Sequence, residues 1–126
     1  MKRINKYAET APFKTKDKSE IRELVHPKHS GNQNQSVAEA RVVEGGETDA
    51  HYHQKSEEIY LTTAGVGKLY IRKRDSTEIT IELEPGTNVV LHAGEIHWLK
   101  NTGKGDLVIL CCCSPAYSHG DTILVD

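Results

Sequence analysis

Residues 45–65 read GGETDAHYHQKSEEIYLTTAG, a short stretch that combines two histidines, a carboxylate and flanking glycines. His51 and His53 are two positions apart, so on an extended strand both imidazoles leave the same face and can reach one ion. Glu58 follows the polar segment QKSE, which could turn the chain and return a carboxylate to the same ion. Imidazole nitrogen and carboxylate oxygen suit iron, manganese, nickel, copper or zinc. The stretch therefore indicates a metal site built on strands.

His97 supplies a third imidazole from a separate segment, where the glycine turn in AGEI could direct it inward. Three histidines and one glutamate leave positions open for water or substrate on a six-coordinate ion, as a reactive site requires. Glu57 competes with Glu58, but neighbouring strand residues face opposite ways, so only one of the two can be a ligand. The alternative interpretation is a set of surface histidines on half-exposed strands.

Apolar residues recur mostly with a period of two, which indicates strands. Residues 67–83 alternate on both sides of the turn segment KRDST and predict a hairpin, with Ile79, Ile81 and Leu83 on one face. Further predicted strands are residues 36–43, 49–53, 57–63, 88–92, 97–101 and 107–113. Glycine or proline separates nearly all of them. About eight short strands without a convincing helix pattern predict an all-β barrel or sandwich, and residues 12–27 predict one additional edge strand.

The composition and charge of the chain limit the kinds of partner and location that we expect. The chain of 126 residues is long enough for one core, and its net charge of -2 gives no reason to expect nucleic acid or an anionic membrane as a partner. The basic start lacks the apolar run of a secretion signal, and no stretch approaches the roughly 18 apolar residues of a membrane helix. We therefore expect a cytoplasmic protein.

Three cysteines stand side by side at Cys111, Cys112 and Cys113. A disulfide between adjacent residues is strained, so a stabilising disulfide framework is not expected. The segment LVILCCC is typical of a buried strand that uses cysteine as a small apolar residue. Because Cys111 and Cys113 share one strand face, a thiol pair that lines a pocket remains open.

Two motifs carry a family resemblance. Residues 45–65 fit G-x5-H-x-H-x4-E-x6-G at every fixed position, and residues 86–101 resemble G-x5-P-x-G-x2-H-x3-N. The second motif departs at one position, where His92 replaces the usual proline. Nine of ten fixed positions are therefore met, and the chain resembles the small single-domain bacterial cupins over roughly residues 36–113.

The resemblance implies a double-stranded β-helix (jelly-roll) barrel of cupin type over residues 36–113, preceded by an arm and edge strand (1–35) and followed by a tail (114–126). It implies one divalent transition-metal ion bound by His51, His53, Glu58 and His97. Manganese and iron are favoured, while nickel, zinc and copper remain open. It also implies a homodimer.

Other residues have weaker assignments. Tyr60 and Thr62 share the strand face of Glu58, so we expect them to line the cavity, and Tyr60 is a candidate catalytic residue. His92 is a second candidate, although a solvent-facing histidine at a strand end is the simpler interpretation. Tyr52 and Trp98 should face away from the site, and Trp98 could contribute to a subunit contact. Three further histidines are expected in solvated loops: His26, His29 and His119.

The expected function is metal-dependent chemistry on a small polar molecule. The resemblance suggests a dioxygenase, a decarboxylase or a sugar isomerase, with oxygen or carboxylate chemistry slightly favoured, and no general acid or base is identified. A non-catalytic, metal-dependent small-molecule binder or sensor is the alternative. Fold alone cannot choose between them, because function depends on the pocket walls.

Overall fold

The computed structural model describes residues 2–125, and nearly all of its regular structure is β-strand. The strands are β1 (Phe13–Lys14), β2 (Glu20–Val25), β3 (Ser36–Val42), β4 (His51–His53), β5 (Glu57–Ala64), β6 (Gly67–Arg72), β7 (Glu78–Leu83), β8 (Asn88–Leu91), β9 (Ile96–Asn101), β10 (Leu107–Ser114) and β11 (Thr122–Leu124). One short helix, α1 (Pro27–Ser30), and the 3-10 turns Tyr7–Glu9 and His119–Asp121 complete the described structure. No helix within residues 2–125 is long and apolar enough to cross a membrane.

The strands form two antiparallel sheets that face each other. One sheet has the order β1-β2-β3-β10-β5-β8, and the other has the order β11-β4-β9-β6-β7. Chain neighbours such as β4 and β5 lie in different sheets, so the chain winds between the two layers as in a jelly roll. The predicted all-β jelly-roll fold is confirmed.

Both ends of the chain add strands to the barrel. Residues 12–27 form two strands rather than the single predicted edge strand, and β2 pairs with β3 from Glu20 to Val25. In the tail, β11 pairs with β4 in the opposite sheet. These additions bond backbone groups of β3 and β4 that would otherwise be left at open sheet edges.

The apolar core occupies the inner faces of both sheets. Its fully buried members include Leu69, Leu83, Leu91, Leu107 and Ile109. The period-two pattern of the 67–83 hairpin predicted Leu83 on this face.

The hairpin face formed by Ile79, Ile81 and Leu83 is only partly buried. Ile79 is 41% exposed, whereas Leu83 is 1% exposed. Strand β7 lies at the edge of its sheet, and burial along it increases from Ile79 to Leu83.

Four glycines fix the turns that join the strands. Gly45, Gly65, Gly86 and Gly94 all have positive φ. Gly65 is also closely packed, since a Cβ there would lie 2.4 Å from the carbonyl oxygen of Asp106. A Cβ at Gly86 would meet nothing within 4 Å.

Replacing Gly65 by alanine should therefore destabilise the protein more than the same change at Gly86. Gly86→Ala introduces only the strain of a left-handed alanine, about 1 kcal/mol. Gly65→Ala adds a backbone clash, for which we expect roughly 1–3 kcal/mol more. Chemical denaturation of both variants measures the difference directly, and equal free energies of unfolding would contradict the close packing at Gly65.

Candidate metal centre

Strand register places the predicted ligands together at one end of the barrel. His51 on β4 lies directly opposite His97 on β9. Glu58 on β5 lies opposite Cys113 on β10, and His53 lies opposite Thr122 on β11. Since side chains at paired positions share a face of the sheet, each ligand is next to its partner on the inner surface.

The three histidines and Glu58 are all buried, at 5% exposure or less. The rings of His51 and His97 are 4.4 Å apart between centroids, and the ring of His53 lies 5.2 Å from that of His51. One nitrogen from each histidine lies within 4.8 Å of the other two. Glu58 Oε1 is 3.1 Å from His53 Nε2 and 3.5 Å from His97 Nε2. The structure brings the four predicted ligands together, whereas Glu57 is exposed.

Hydrogen bonds hold each imidazole with its Nε2 atom toward the shared space. His51 Nδ1 donates to the carbonyl oxygen of Asp49, and His97 Nδ1 donates to that of Glu95, both at 3.0 Å. His53 Nδ1 lies 3.0 Å from the Thr122 hydroxyl, which itself donates to the carbonyl oxygen of Ser118. Because these oxygens accept, the proton of each neutral ring sits on Nδ1 and the Nε2 lone pair points inward.

The free nitrogens fit a bound cation. His97 Nε2 is buried and has no hydrogen-bond partner within residues 2–125. His53 Nε2 and Glu58 Oε1 both present lone pairs at 3.1 Å, a contact that requires a proton or a cation between them. Zinc-type ions form bonds of about 2.1 Å to imidazole nitrogen, so three nitrogens within 4.8 Å of one another would move closer together to bind one ion.

The electrostatics also suit a cation. Burial and the neighbouring His97 lower the pKa of His51 to about 4, which keeps its ring neutral. Burial alone would raise the pKa of Glu58, but the neighbouring imidazoles of His53 and His97 hold it below the ordinary value for a carboxyl group. Burial opposes a charge on His53, yet the hydrogen bond and charge of Glu58 outweigh burial and raise the pKa of His53. The site thus holds one buried carboxylate that needs positive charge nearby.

Cys113 contacts Glu58, a contact that the sequence did not predict. Its Sγ lies 3.2 Å from Glu58 Oε2, so the thiol donates to the carboxylate oxygen that His53 does not contact. Burial and the charge of Glu58 raise the pKa of Cys113, which keeps the thiol protonated as a donor. Cys111 lines the same cavity, so the pocket-lining thiol pair left open by the sequence is present.

The arm and the tail complete the cavity, which has a volume of about 50 Å³. From the arm, Asp17 Oδ2 lies 3.7 Å from His51 Nδ1, while its Oδ1 accepts from Ser19. From the tail, Tyr117 and Thr122 form part of the wall. None of these three residues lies in a histidine motif, and no local pattern in the sequence marks them.

The other residues expected at or near the site differ in whether they line the cavity. Tyr60 lines the cavity with its ring 5.8 Å from that of His97, whereas Thr62 is fully buried but does not line it. Trp98 stacks on Tyr70 at 5.2 Å. His92 is exposed at the end of β8 and is not part of the cavity wall.

The expectation that His26 lies in a solvated loop is wrong. His26 is 6% exposed, its Nδ1 accepts from the backbone of Lys28 at the start of α1, and its Nε2 donates to the carbonyl oxygen of Tyr117. It therefore ties the arm to the tail. His29 is half-buried 3.3 Å from Glu23, and His119 is exposed.

Comparison with known proteins defines the class. Residues 38–113 match the family model of the Cupin domain, so the chain belongs to the cupin family. It is also 38% identical over 120 residues to the uncharacterized protein MJ1618 of Methanocaldococcus jannaschii, covering 95% of this chain and 92% of that protein.

Solved structures share the fold. The oxalate decarboxylase of Lactobacillus farciminis, in its formate complex, superposes with a TM-score of 0.81 at 23% identity, over 94% of this chain and 34% of that one. This chain thus spans about a third of that enzyme. A predicted oxalate decarboxylase of Thermotoga maritima gives a TM-score of 0.71 at 21% identity, over 89% of this chain and 98% of that one. At these identities the likeness shows the fold alone.

The cysteine geometry predicts how the thiols react. Cys112 is half-exposed on the outer face of β10, whereas Cys111 and Cys113 are 6% and 4% exposed. Burial raises the pKa of all three thiols, so reaction should be slow and confined to Cys112 in the native protein. Iodoacetamide labelling followed by peptide mass spectrometry should find one modified thiol in the native state and three in denaturant. Labelling of Cys113 at the rate of Cys112 would contradict its burial, and Cys112→Ser is the control.

Proposed function

We propose that this cupin binds one divalent transition-metal ion through His51, His53, His97 and Glu58 and acts on a small polar molecule. The observation that carries the proposal is the cluster of three buried imidazoles, with one nitrogen of each within 4.8 Å of the other two and the Glu58 carboxylate beside His53 and His97. Each of the three rings is fixed from behind by a hydrogen bond at Nδ1. Without a cation this arrangement costs free energy, because buried donors and acceptors would remain unmatched.

Manganese and iron are the favoured ions. Three imidazoles with one carboxylate form a mixed nitrogen and oxygen set, and four protein ligands leave two positions of an octahedron open. Nickel, zinc and copper accept the same ligand types. At its open positions the bound ion would supply Lewis-acid or redox chemistry. The reaction types that fit are those of an oxygenase, a decarboxylase or an isomerase, and the structural likeness to oxalate decarboxylases supports the second.

The protein's own groups would position the substrate. Tyr60 lines the cavity beside His97, and burial raises the pKa of its phenol, so the hydroxyl is a hydrogen-bond donor to a bound molecule. Cys113 holds the second oxygen of Glu58 and so limits rotation of this ligand. Apolar side chains such as Ala38, Ala40 and Leu99 form much of the remaining wall and exclude water.

Metal analysis tests the central claim. Protein purified without a histidine tag and loaded with Mn²⁺ or Fe²⁺ should contain close to one ion per chain. His97→Ala removes one ligand and should weaken binding at least about 100-fold. His92→Ala removes an exposed histidine and is the matched control, which should retain the ion. Atomic emission spectroscopy measures the content, and circular dichroism shows that each variant is folded. Equal metal content in the two variants would refute the assignment.

Catalysis is tested separately from binding. The loaded protein is incubated with small carboxylates, keto acids and sugars, and the products are followed by mass spectrometry. We expect metal-dependent conversion of at least one compound, its loss in His97→Ala, and slower conversion in Tyr60→Phe with metal content unchanged. A compound that stabilises the loaded protein against heat but is never converted would instead favour the binding or sensing module. The homodimer and the cytoplasmic location stay predictions.

A further inference from the structure

A larger and more polar depression adjoins the metal cavity. This outer groove is formed by the arm, the start of α1 and the tail, and its volume is about 380 Å³. It shares part of its wall with the inner cavity, namely Phe13, Thr15, Lys16, Glu23 and Tyr117. A molecule that enters the inner cavity across this shared wall therefore has room for a second part in the outer groove.

The outer groove is lined by three lysines on a chain whose net charge is -2. Lys14 and Lys28 are exposed, and neither has a carboxylate within 4.0 Å among residues 2–125. Lys14 lies opposite Glu20 in the pairing of β1 with β2, but their charged groups form no ion pair. These two ammonium groups are therefore available to an external anion.

Lys16 lies at the junction between the outer groove and the inner cavity. Its Nζ donates to the carbonyl oxygens of His119 and Thr122, at 3.1 and 2.9 Å. Two of its three donors are thus used to fix the ammonium group in place, and the third remains free. A cation fixed in this way is preorganised for an anion that passes from the groove toward the metal centre.

Other polar groups leave this positive charge largely uncompensated. Glu23 is the one carboxylate in the wall of the outer groove, and it lies 3.3 Å from His29. His26 uses both ring nitrogens in hydrogen bonds to backbone groups. A recess lined by one sign of charge concentrates ligands of the opposite sign.

We propose that the outer groove binds the anionic group, a carboxylate or a phosphate, of a molecule whose other end reaches the metal centre. This inference rests on the proposed function for the role of the inner end. It assigns the substrate to the small organic anions and places the determinants of that preference in the arm and in α1, outside the residues that match the family.

Two double variants test the outer groove. Lys14→Gln with Lys28→Gln removes the free cations of the groove, while Lys100→Gln with Lys104→Gln removes the same charge from exposed positions outside it. Isothermal titration of the metal-loaded protein uses inorganic phosphate, succinate and the neutral analogue succinamide. We expect both anions to bind and succinamide not to bind. The groove variant should weaken anion binding roughly five- to tenfold, and the control should change it less than about twofold.

Comparing the two anions shows which anionic group the outer groove prefers. Tighter binding of phosphate indicates phosphorylated substrates, and tighter binding of succinate indicates carboxylates. Equal losses in the two double variants, or no saturable binding by the wild type, would overturn the inference. Titrating His97→Ala with the same anions separates this proposal from that of the metal. If anions still bind to the variant without metal, and loss of Lys14 and Lys28 still weakens that binding, the outer groove is supported independently of the metal. If the metal content is normal but loss of the lysines does not weaken anion binding, the outer groove is refuted and the metal site is not.

Discussion

The barrel encloses three imidazoles and a carboxylate, and the rest of the structure depends on giving the Nδ1 atom of each imidazole a hydrogen-bond partner. Burying such groups is costly unless each finds a partner. The backbone carbonyls of Asp49 and Glu95 and the hydroxyl of Thr122 accept the three Nδ1 protons. The remaining bonding capacity then points inward, where a proton or a metal cation can use it. The hydrogen bonds at Nδ1 thus leave the Nε2 atom of each ring free to bind a cation.

Strand register determines which residues of each strand point into the barrel. Along β9 the inward residues are His97, Leu99 and Asn101, so one strand contributes a ligand, a core residue and a buried amide. The amide of Asn101 donates to the carbonyl oxygens of Val42 and Gly105 and fastens the loops at the other end of the barrel. A one-residue slip would move all three side chains to the outer face. The burial of Leu99 and Asn101 therefore maintains the register of β9 that directs His97 inward.

The sequence predicts what is local and fails where contacts are distant. His51, His53 and Glu58 could be recognised because alternation along two strands consecutive in the chain decides which way they face. Cys113 pairs with Glu58 across 55 positions of sequence, and its residue type is equally typical of a core. The burial of His26 depends on a carbonyl oxygen 91 residues away, so its loop-like surroundings, HPKHS, predict the wrong environment.

The residues that sequence reasoning missed lie mainly in the arm and the tail, and this placement has a functional consequence. Residues 38–113, which match the family model, contain most of the barrel and the four proposed metal ligands. Asp17, Tyr117 and Thr122 complete the cavity from outside that range, and Lys16 joins the arm to the tail through two backbone carbonyls. These segments contribute none of the residues in the buried apolar core cluster, so changes in them disturb that core less than changes within residues 38–113 would. Under the proposed function, substrate choice can therefore change through the arm and tail while the proposed metal ligands stay the same, as expected when one fold supports many chemistries.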